Sequence, residues 1–360
     1  MSTTTPARVV VVDDSALMRN IVTRSLTRAG VEVVGSARDG DEALAVCERE
    51  RPDAMTLDLT MPGLDGLGVL RALRSRADSN IPVVVVSAFS AAHGARAVDA
   101  LAEGAFDLVP KPTANESLDA FIESLGAKVK LAVASRRKGR PAHKAPVISR
   151  SRPPAPAGHG APLSPRRPAR TAVGVKLVLI ATSTGGPRAL AGLVPKLPAP
   201  LGVGTLIVQH MPAGFTGSLA ARLNASSALN VVEASGGEKL DARTALLAPG
   251  GRHLRLAQDG RTALTDEPAV GGLRPRADLL IEDAARVYGE RMLLVVLTGM
   301  GNDGLRGARE VRRHGGRILV ESEDSCTVFG MPRAIVESGL ADDVLDLGQL
   351  ADAIATEARA

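Results

Sequence analysis

Short, almost uninterrupted runs of valine, leucine and isoleucine recur along this chain, and each run ends in polar or glycine residues. Such runs are typical of strands in a parallel sheet that helices cover on both faces. Helical patterns separate the runs, so the chain is predicted to be an α/β protein. Because a membrane-spanning helix requires about 20 apolar residues, no membrane insertion is expected. The clearest runs are RVVVV, PVVVVSA, KLVLIATS and RMLLVVLTG.

One basic segment divides the chain into two parts. Residues 131–170 contain ten Lys and Arg residues, no Asp or Glu, and many Pro, Ala and Ser residues. Such a segment cannot bury a core, so we expect a flexible linker over 131–172, between domains at 1–130 and 173–360. The whole chain carries a formal charge of +5, so the rest of it carries −5. A broad nucleic-acid-binding surface on either domain is therefore not expected.

The N-terminus and the cysteines bear on the compartment. The N-terminal MSTTTPARVVVVDD lacks the apolar core of a secretory signal. The two cysteines, Cys47 and Cys326, lie in different halves and form no metal or disulfide pattern. We therefore expect a cytoplasmic protein.

The order of the apolar runs predicts the fold of each domain. Five βα units in the first domain predict a small doubly wound, flavodoxin-like sheet. The second domain is predicted to be doubly wound and mostly parallel, with an antiparallel hairpin insertion. In that insertion, TALLAPG and HLRLAQDGRTALTDE are predicted to be the hairpin strands, with a turn at Asp259-Gly260.

Polar side chains follow the strands of the first domain. Because the carboxyl ends of parallel strands meet at one edge of a sheet, these side chains are expected to converge. Clustered carboxylates repel each other unless a cation lies among them, and Mg²⁺ suits oxygen ligands. The set predicts a phosphoryl-transfer site, against the alternative of a solvated acidic loop. Its members are Asp13, Asp14, Asp58, Ser87 and Lys111.

The stretch KLVLIATSTGG opens the second domain and places Ser183 just beyond a predicted strand. A dinucleotide-binding loop is disfavoured, because the next strand ends in Gln209-His210 rather than in an acidic residue. A mononucleotide-binding P-loop is disfavoured too, because its motif is absent. Ser183, His210 and Asp303 all follow strand ends, which favours a nucleophile, a base and an orienting carboxylate. The motif G-x-S-x-G is absent, which argues against an α/β-hydrolase. Taken singly, Ser183 could be a helix cap and Asp303 a turn residue. His253 is an alternative to His210 as the base.

Two glycine-rich segments could stabilise an oxyanion in such a site. Gly185-Gly186 lets a helix N-terminus approach closely, and Gly299-Met300-Gly301 exposes backbone N–H groups near the same edge. From the residues alone, either segment could supply the donors.

Residues 7–125 closely resemble the response-regulator receiver family, through VVDDS, MTLDLTMPGLDG, VVVVSA and LVPKP. The resemblance implies that Asp58 accepts the phosphoryl group and that Asp13, Asp14, Asp58 and the Thr60 carbonyl bind Mg²⁺. It also implies that Ser87 and Lys111 contact the phosphoryl group. Leu108 stands where that family often has an aromatic switch residue.

Residues 173–345 resemble the methylesterase domain of the chemotaxis response regulator CheB. The motifs are STGG, QHMP, APGGRH, LRPRADLL, LTGMGNDG and VFGMPRA. The resemblance implies Ser183, His210 and Asp303 as a catalytic triad. It also implies the Met300 backbone N–H as an oxyanion donor, with Thr184 assisting.

The resemblance further implies a hydrolase, with no cofactor of its own, that removes methyl groups from glutamate esters on chemoreceptors and can deamidate glutamines. A chemotaxis histidine kinase would phosphorylate Asp58. Two alternatives remain: a phosphorylation-regulated module that only binds receptors, and a DNA-binding regulator, which the absence of a helix-turn-helix pattern disfavours.

Overall fold

The computed structural model describes residues 6–75, 81–88, 91–112, 117–137 and 176–359, which form two α/β units. The elements of the N-terminal unit are β1 (Arg8–Val12), α1 (Ala16–Arg28), β2 (Glu32–Ala37), α2 (Gly40–Glu50), β3 (Ala54–Leu57), α3 (Gly66–Ser75), β4 (Val83–Ser87), α4 (Ala91–Ala102), β5 (Asp107–Pro110) and α5 (Leu118–Arg137). The strands form a five-stranded sheet in the order β2-β1-β3-β4-β5. All its pairs are parallel, which confirms the predicted flavodoxin-like fold.

The C-terminal unit is larger. It contains β6 (Leu177–Thr182), α6 (Gly186–Leu193), β7 (Gly204–Gln209), α7 (Thr216–Asn224), β8 (Asn230–Glu233), β9 (Thr244–Leu247), β10 (His253–Leu256), β11 (Thr262–Thr265), α8 (Ala277–Tyr288), β12 (Met292–Val296), α9 (Leu305–Arg313), β13 (Arg317–Glu321), α10 (Met331–Glu337), β14 (Asp343–Leu345) and α11 (Leu347–Arg359). Seven strands form one sheet in the order β14-β13-β12-β6-β7-β9-β8. Every strand pair in it is parallel, and the separate β10–β11 pair is antiparallel.

The continuous apolar runs are explained by burial on both faces. In β1, Val9 and Val11 belong to one core cluster, while Val10 and Val12 belong to the cluster on the other face. In β6, Leu177 and Leu179 likewise face away from Val178 and Ile180, which lie in a different cluster. Because successive strand residues point to opposite faces, a strand covered by helices on both sides must be apolar throughout.

Part of the predicted hairpin was wrong. The strand β9, in TALLAPG, pairs in parallel with β7 and β8 inside the main sheet. The hairpin consists of β10 and β11 alone, and its turn includes Gly260 at φ 78°. The sequence TALL fits both locations, since a short apolar run does not distinguish a hairpin strand from a central parallel strand.

Helix α5 extends to Arg137, so the first residues of the linker predicted over 131–172 are helical. The rest of that predicted linker, from residue 138 to residue 172, lies outside the described residues. Within the part of the chain that the structure describes, no helix is both long enough and apolar enough to cross a bilayer.

Candidate active site and acidic pocket

Strand register brings Ser183 and His210 together. Strands β6 and β7 are parallel neighbours, and Thr182 is the register partner of Gln209. Ser183 and His210 each follow that pair directly, and the His210 N–H donates to the Thr182 carbonyl at 3.1 Å. Since adjacent strands lie about 4.8 Å apart, the two residues are side by side at the carboxyl edge of the sheet.

The two glycines after Ser183 are required by the space around them. Gly185 adopts φ 81°, and a Cβ there would lie 2.4 Å from the Cβ of Thr327. A Cβ on Gly186 would lie 1.9 Å from the Gln209 Oε1. Only glycine therefore lets the chain turn tightly from β6 into α6, with Ser183 at the start of the turn.

The imidazole of His210 is held by Asp303. Its Nε2 lies 2.7 Å from Asp303 Oδ2, whereas its Nδ1 is buried and has no hydrogen-bond partner in the part of the chain that the structure describes. An ionised carboxylate only accepts hydrogen bonds, so Nε2 carries the proton and Nδ1 is left as the acceptor. Among the described residues, the Ser183 hydroxyl makes no hydrogen bond. Catalytic hydrogen bonds often tighten only when substrate is bound.

The environment of Asp303 keeps its carboxylate ionised. The side chain is 2% exposed and accepts backbone N–H groups from Ala277 and Asp278, at 2.7 and 2.9 Å, and from Gly304 at 2.9 Å. Burial alone would raise the pKa of Asp303, but the hydrogen bond from His210 and these backbone bonds hold it well below its ordinary value. Ala277 and Asp278 begin α8, whose N-terminus also favours a negative charge.

In each of the two candidate oxyanion segments, one backbone N–H is already occupied. The Gly186 N–H already donates to the Ser183 carbonyl at 2.8 Å, and the Gly299 N–H donates to the Val328 carbonyl at 3.0 Å. Among the described residues, the Met300 N–H has no acceptor, and Met300 is 46% exposed. Gly299 packs against the nucleophile loop, because a Cβ on it would lie 2.9 Å from the Ser183 Cβ. Among the described residues, the Met300 N–H and the Gly185 N–H therefore both remain available near Ser183.

The contacts of Gln209 and His253 change how these two residues are interpreted. The Gln209 side-chain amide donates to the carbonyls of both Ser183 and His210, each at 3.0 Å, a role that its position beside His210 could have suggested. His253, the rival base, is fully buried. Its Nδ1 accepts the Arg276 N–H and its Nε2 contacts the Pro268 carbonyl, both at 3.2 Å. His253 is a structural residue of the β10 segment.

The N-terminal unit contacts the residue that follows Ser183. The Thr184 hydroxyl donates to Asp107 Oδ2 of β5 at 2.6 Å, and Asp107 Oδ1 pairs with Lys128 Nζ at 2.9 Å. Helix α4 packs against α6 and α7 of the second unit. A cleft between the units is lined by Pro110 on one side and by Pro212 and Arg274 on the other. No sequence motif indicated this contact.

The acidic side chains of the first unit converge as predicted. Carboxylate oxygens of Asp13, Asp14 and Asp58 lie within 4.8 Å of one another. Lys111 Nζ lies 2.8 Å from Asp13 Oδ2 and 2.9 Å from Asp58 Oδ2. Burial raises the pKa of Asp13 although Lys111 opposes it. Burial would lower the pKa of Lys111, but its hydrogen bonds to Asp13 and Asp58 raise it.

The remaining predicted residues of this pocket differ in environment. Ser87 is 0% exposed at the end of β4, and its hydroxyl has no partner within the described residues. Thr60 is exposed in the loop after Asp58. Leu108 is buried in the β5 strand, next to Asp107. A cluster of hard carboxylate oxygens suits Mg²⁺.

The fold and the two sites define a class of protein: a receiver-like unit with an acidic pocket, joined to a parallel α/β unit with a serine, a histidine and an aspartate at its sheet edge. The response regulator receiver domain family matches residues 9–123, and the CheB methylesterase family matches residues 178–354. Curated relatives match nearly the whole length. The chain belongs to the CheB methylesterase family, with an N-terminal receiver domain.

Two relatives illustrate the similarity. A protein-glutamate methylesterase/protein-glutamine glutaminase from Symbiobacterium thermophilum is 44% identical, over 97% of this chain and 96% of its own. One from Myxococcus xanthus is also 44% identical, over 98% of each chain. The crystal structure of the Thermotoga maritima CheB methylesterase catalytic domain is 41% identical, covering 51% of this chain and 99% of its own, with a TM-score of 0.49.

Proposed function

We propose that this protein is a phosphorylation-regulated serine hydrolase that demethylates glutamate γ-methyl esters on chemoreceptors. Its similarity to protein-glutamate methylesterase/protein-glutamine glutaminases supports the reaction. One observation carries the chemistry: the imidazole of His210 is fixed by Asp303 through Nε2 at 2.7 Å, while its Nδ1 stays buried and unpartnered at the strand end next to Ser183.

In the proposed reaction, the Ser183 Oγ attacks the ester carbonyl carbon while His210 Nδ1 takes the hydroxyl proton. The tetrahedral intermediate collapses when His210 returns this proton to the departing methoxide, which leaves as methanol. Water then attacks the acyl-enzyme, His210 again moves the proton, and the glutamate carboxylate is released. Asp303 steadies the imidazolium, since its low pKa keeps it anionic throughout.

The Met300 N–H is proposed to donate to the oxyanion, an interaction that contributes about 3–4 kcal/mol in other enzymes. Its free N–H and its position after Gly299, against Ser183, support this role. Thr184 is proposed to assist once its hydroxyl is released from Asp107. The same steps apply to a glutamine side chain, with ammonia as the leaving group, so one site can serve both reactions.

In the receiver domain, Asp58 is the proposed phosphoacceptor. Asp13, Asp14, Asp58 and the Thr60 carbonyl would hold Mg²⁺, which when bound neutralises negative charge on phosphoryl oxygens. The Asp58 carboxylate attacks phosphorus of a histidine kinase's phosphohistidine, and the phosphorus–nitrogen bond breaks. Lys111 would turn from Asp58 to a phosphoryl oxygen, and the unpartnered Ser87 hydroxyl would donate to another.

Regulation is proposed to act through the contact between the domains. Asp107 engages Thr184, next to the nucleophile, and helix α4 covers α6 and α7. Phosphorylation adds charge at the edge of the same sheet that carries β5, and it would weaken this docking. The proposal places the protein in the cytoplasm, with the kinase and the cytoplasmic helices of the receptors.

The test is methanol release from methylated receptor membranes by the full chain, with and without a small phosphodonor. Wild type should release methanol, faster with the phosphodonor, and Ser183→Ala should not, while keeping its melting temperature. A purely receptor-binding module would instead bind the membranes without releasing methanol.

A further inference from the structure

Thr298 lies at the junction of three segments of the active site. It follows β12, is 1% exposed, and directly precedes Gly299 and Met300. Its hydroxyl donates to the Thr184 carbonyl at 2.9 Å and accepts the Val328 N–H at 2.9 Å. One hydroxyl thus connects the turn after Ser183, the loop after β12 and the loop before α10.

The main chain of Thr298 is also held from two sides. Its carbonyl accepts the Ser183 N–H at 3.0 Å and the Thr182 hydroxyl at 2.7 Å. Its N–H donates to Glu321 Oε2 at 2.7 Å. Glu321 is itself 1% exposed and fixed at the end of β13. Thr298 is therefore a rigid support against which the turn after Ser183 is placed.

We propose that Thr298 is a positioning residue that fixes the distance between the Ser183 nucleophile and the Met300 N–H through its hydroxyl. The inference rests on the proposed function. Ser183 and Met300 lie on different loops, so only cross-links between these loops hold an attacking oxygen and an oxyanion donor in register. The Thr298 carbonyl accepts the N–H of Ser183, and the Thr298 hydroxyl donates to the carbonyl of the next residue, Thr184. The hydroxyl therefore holds the main chain beyond Ser183, where the Thr298 carbonyl does not reach.

The chemistry of threonine offers matched variants. Thr298→Val keeps the shape and removes the hydroxyl, so the Thr184 carbonyl and the Val328 N–H both lose this partner. Thr298→Ser keeps the hydroxyl and removes only a methyl group. Thr205→Val is the control, because the Thr205 hydroxyl is equally buried, on β7 of the same sheet, and has no partner among the described residues.

The experiment uses the full chain with a saturating phosphodonor and Mg²⁺, and measures kcat and KM for methanol release from methylated receptor membranes. Thr298→Val is expected to lower kcat about 10- to 100-fold with KM little changed, because a small misplacement of reacting groups has costs of that order. Thr298→Ser and Thr205→Val should stay close to wild type. The rate at which a fluorophosphonate labels Ser183, followed by intact mass, should fall in parallel with kcat. Thr298→Ala replaces Thr298→Val if the latter does not fold.

The inference is overturned if Thr298→Val matches wild type in kcat and labelling rate, or if Thr298→Ser loses as much kcat as Thr298→Val. It is also overturned if KM rises instead of kcat falling. If the proposed function is wrong, wild type itself will release no methanol. The labelling rates of Thr298→Val and Thr298→Ser would still show whether the Thr298 hydroxyl positions Ser183.

Discussion

Replacing Asp107 with alanine should release the second domain from the receiver domain. The Asp107 carboxylate accepts the Thr184 hydroxyl at 2.6 Å, and the two side chains are only 13% and 5% exposed. A hydrogen bond to a charged group contributes about 1.5–3 kcal/mol, and screening by solvent is weak at this burial. Since about 1.4 kcal/mol corresponds to a factor of ten, the docking equilibrium should shift about 10- to 100-fold towards the open form.

The assay is the basal rate of methanol release by the full chain without phosphodonor. Asp107→Ala should raise this basal rate, at most to the rate that wild type reaches with saturating phosphodonor. With saturating phosphodonor, the two proteins should have equal rates. Asp107→Asn keeps an acceptor but loses the charge, so its basal rate should lie between the two. Asp41→Ala is the matched control, because Asp41 is exposed on α2, which packs on β2 and α3 of its own domain.

The reasoning would be refuted by an unchanged basal rate in Asp107→Ala while the phosphodonor still activates both proteins. Unfolding of the receiver could raise the rate for the wrong reason. Phosphorylation of Asp107→Ala by the phosphodonor, measured by intact mass, would exclude that case, because it requires a working Asp58 pocket. The Lys128 bond to the Leu108 carbonyl, at 2.7 Å, does not depend on Asp107 and should preserve the end of β5.

Further predictions concern the two sites. Asp303→Asn should lower kcat about 10⁴-fold, as the loss of the orienting carboxylate does in other serine hydrolases, with KM for receptor membranes nearly unchanged. Because the pKa of Asp303 is depressed in the folded state, its ionised carboxylate stabilises the fold at pH values above about 3.9, the ordinary pKa in the unfolded chain. This stabilisation is lost as the pH falls towards the folded pKa. Urea denaturation between about pH 5 and pH 3, followed by the fluorescence of Tyr288, should therefore have a shallower pH dependence in Asp303→Asn. Removing Mg²⁺ with EDTA should abolish activation by the phosphodonor and leave the basal rate unchanged; loss of both would contradict a metal site confined to the receiver. Ser87→Ala should slow phosphodonor activation without destabilising the receiver, since it removes a buried hydroxyl that has no partner in the described residues.

Strand ends made most of the two sites predictable. Where parallel strands are continuous apolar runs, the polar residues that follow them must share one edge, and this placed Asp13, Asp58 and Lys111 together in the first domain. The same rule placed His210 beside Asp303. The sequence did not show the register of the strands. In the structure Thr182 and Gln209 are register partners, and Ser183 and His210 directly follow them.

The errors and omissions have physical reasons. TALL was predicted as a hairpin strand because so short an apolar run does not show which strand it pairs with; in the structure it pairs with β7 in the main sheet. Gly186 was a candidate oxyanion donor until its N–H was found to close the turn onto Ser183. The contact between Thr184 and Asp107 joins residues 77 positions apart in different domains, and no local pattern encodes it.

The orientation of His210 has a consequence for how the base is placed. Nδ1 is bonded directly to Cγ, whereas Nε2 lies across the ring, so Nδ1 is the ring nitrogen nearer the main chain. With Nε2 committed to Asp303, the proposed proton transfer would use this inner nitrogen. An inhibitor meant to engage the proposed base would therefore have to present its hydrogen-bond donor to Nδ1 rather than to Nε2.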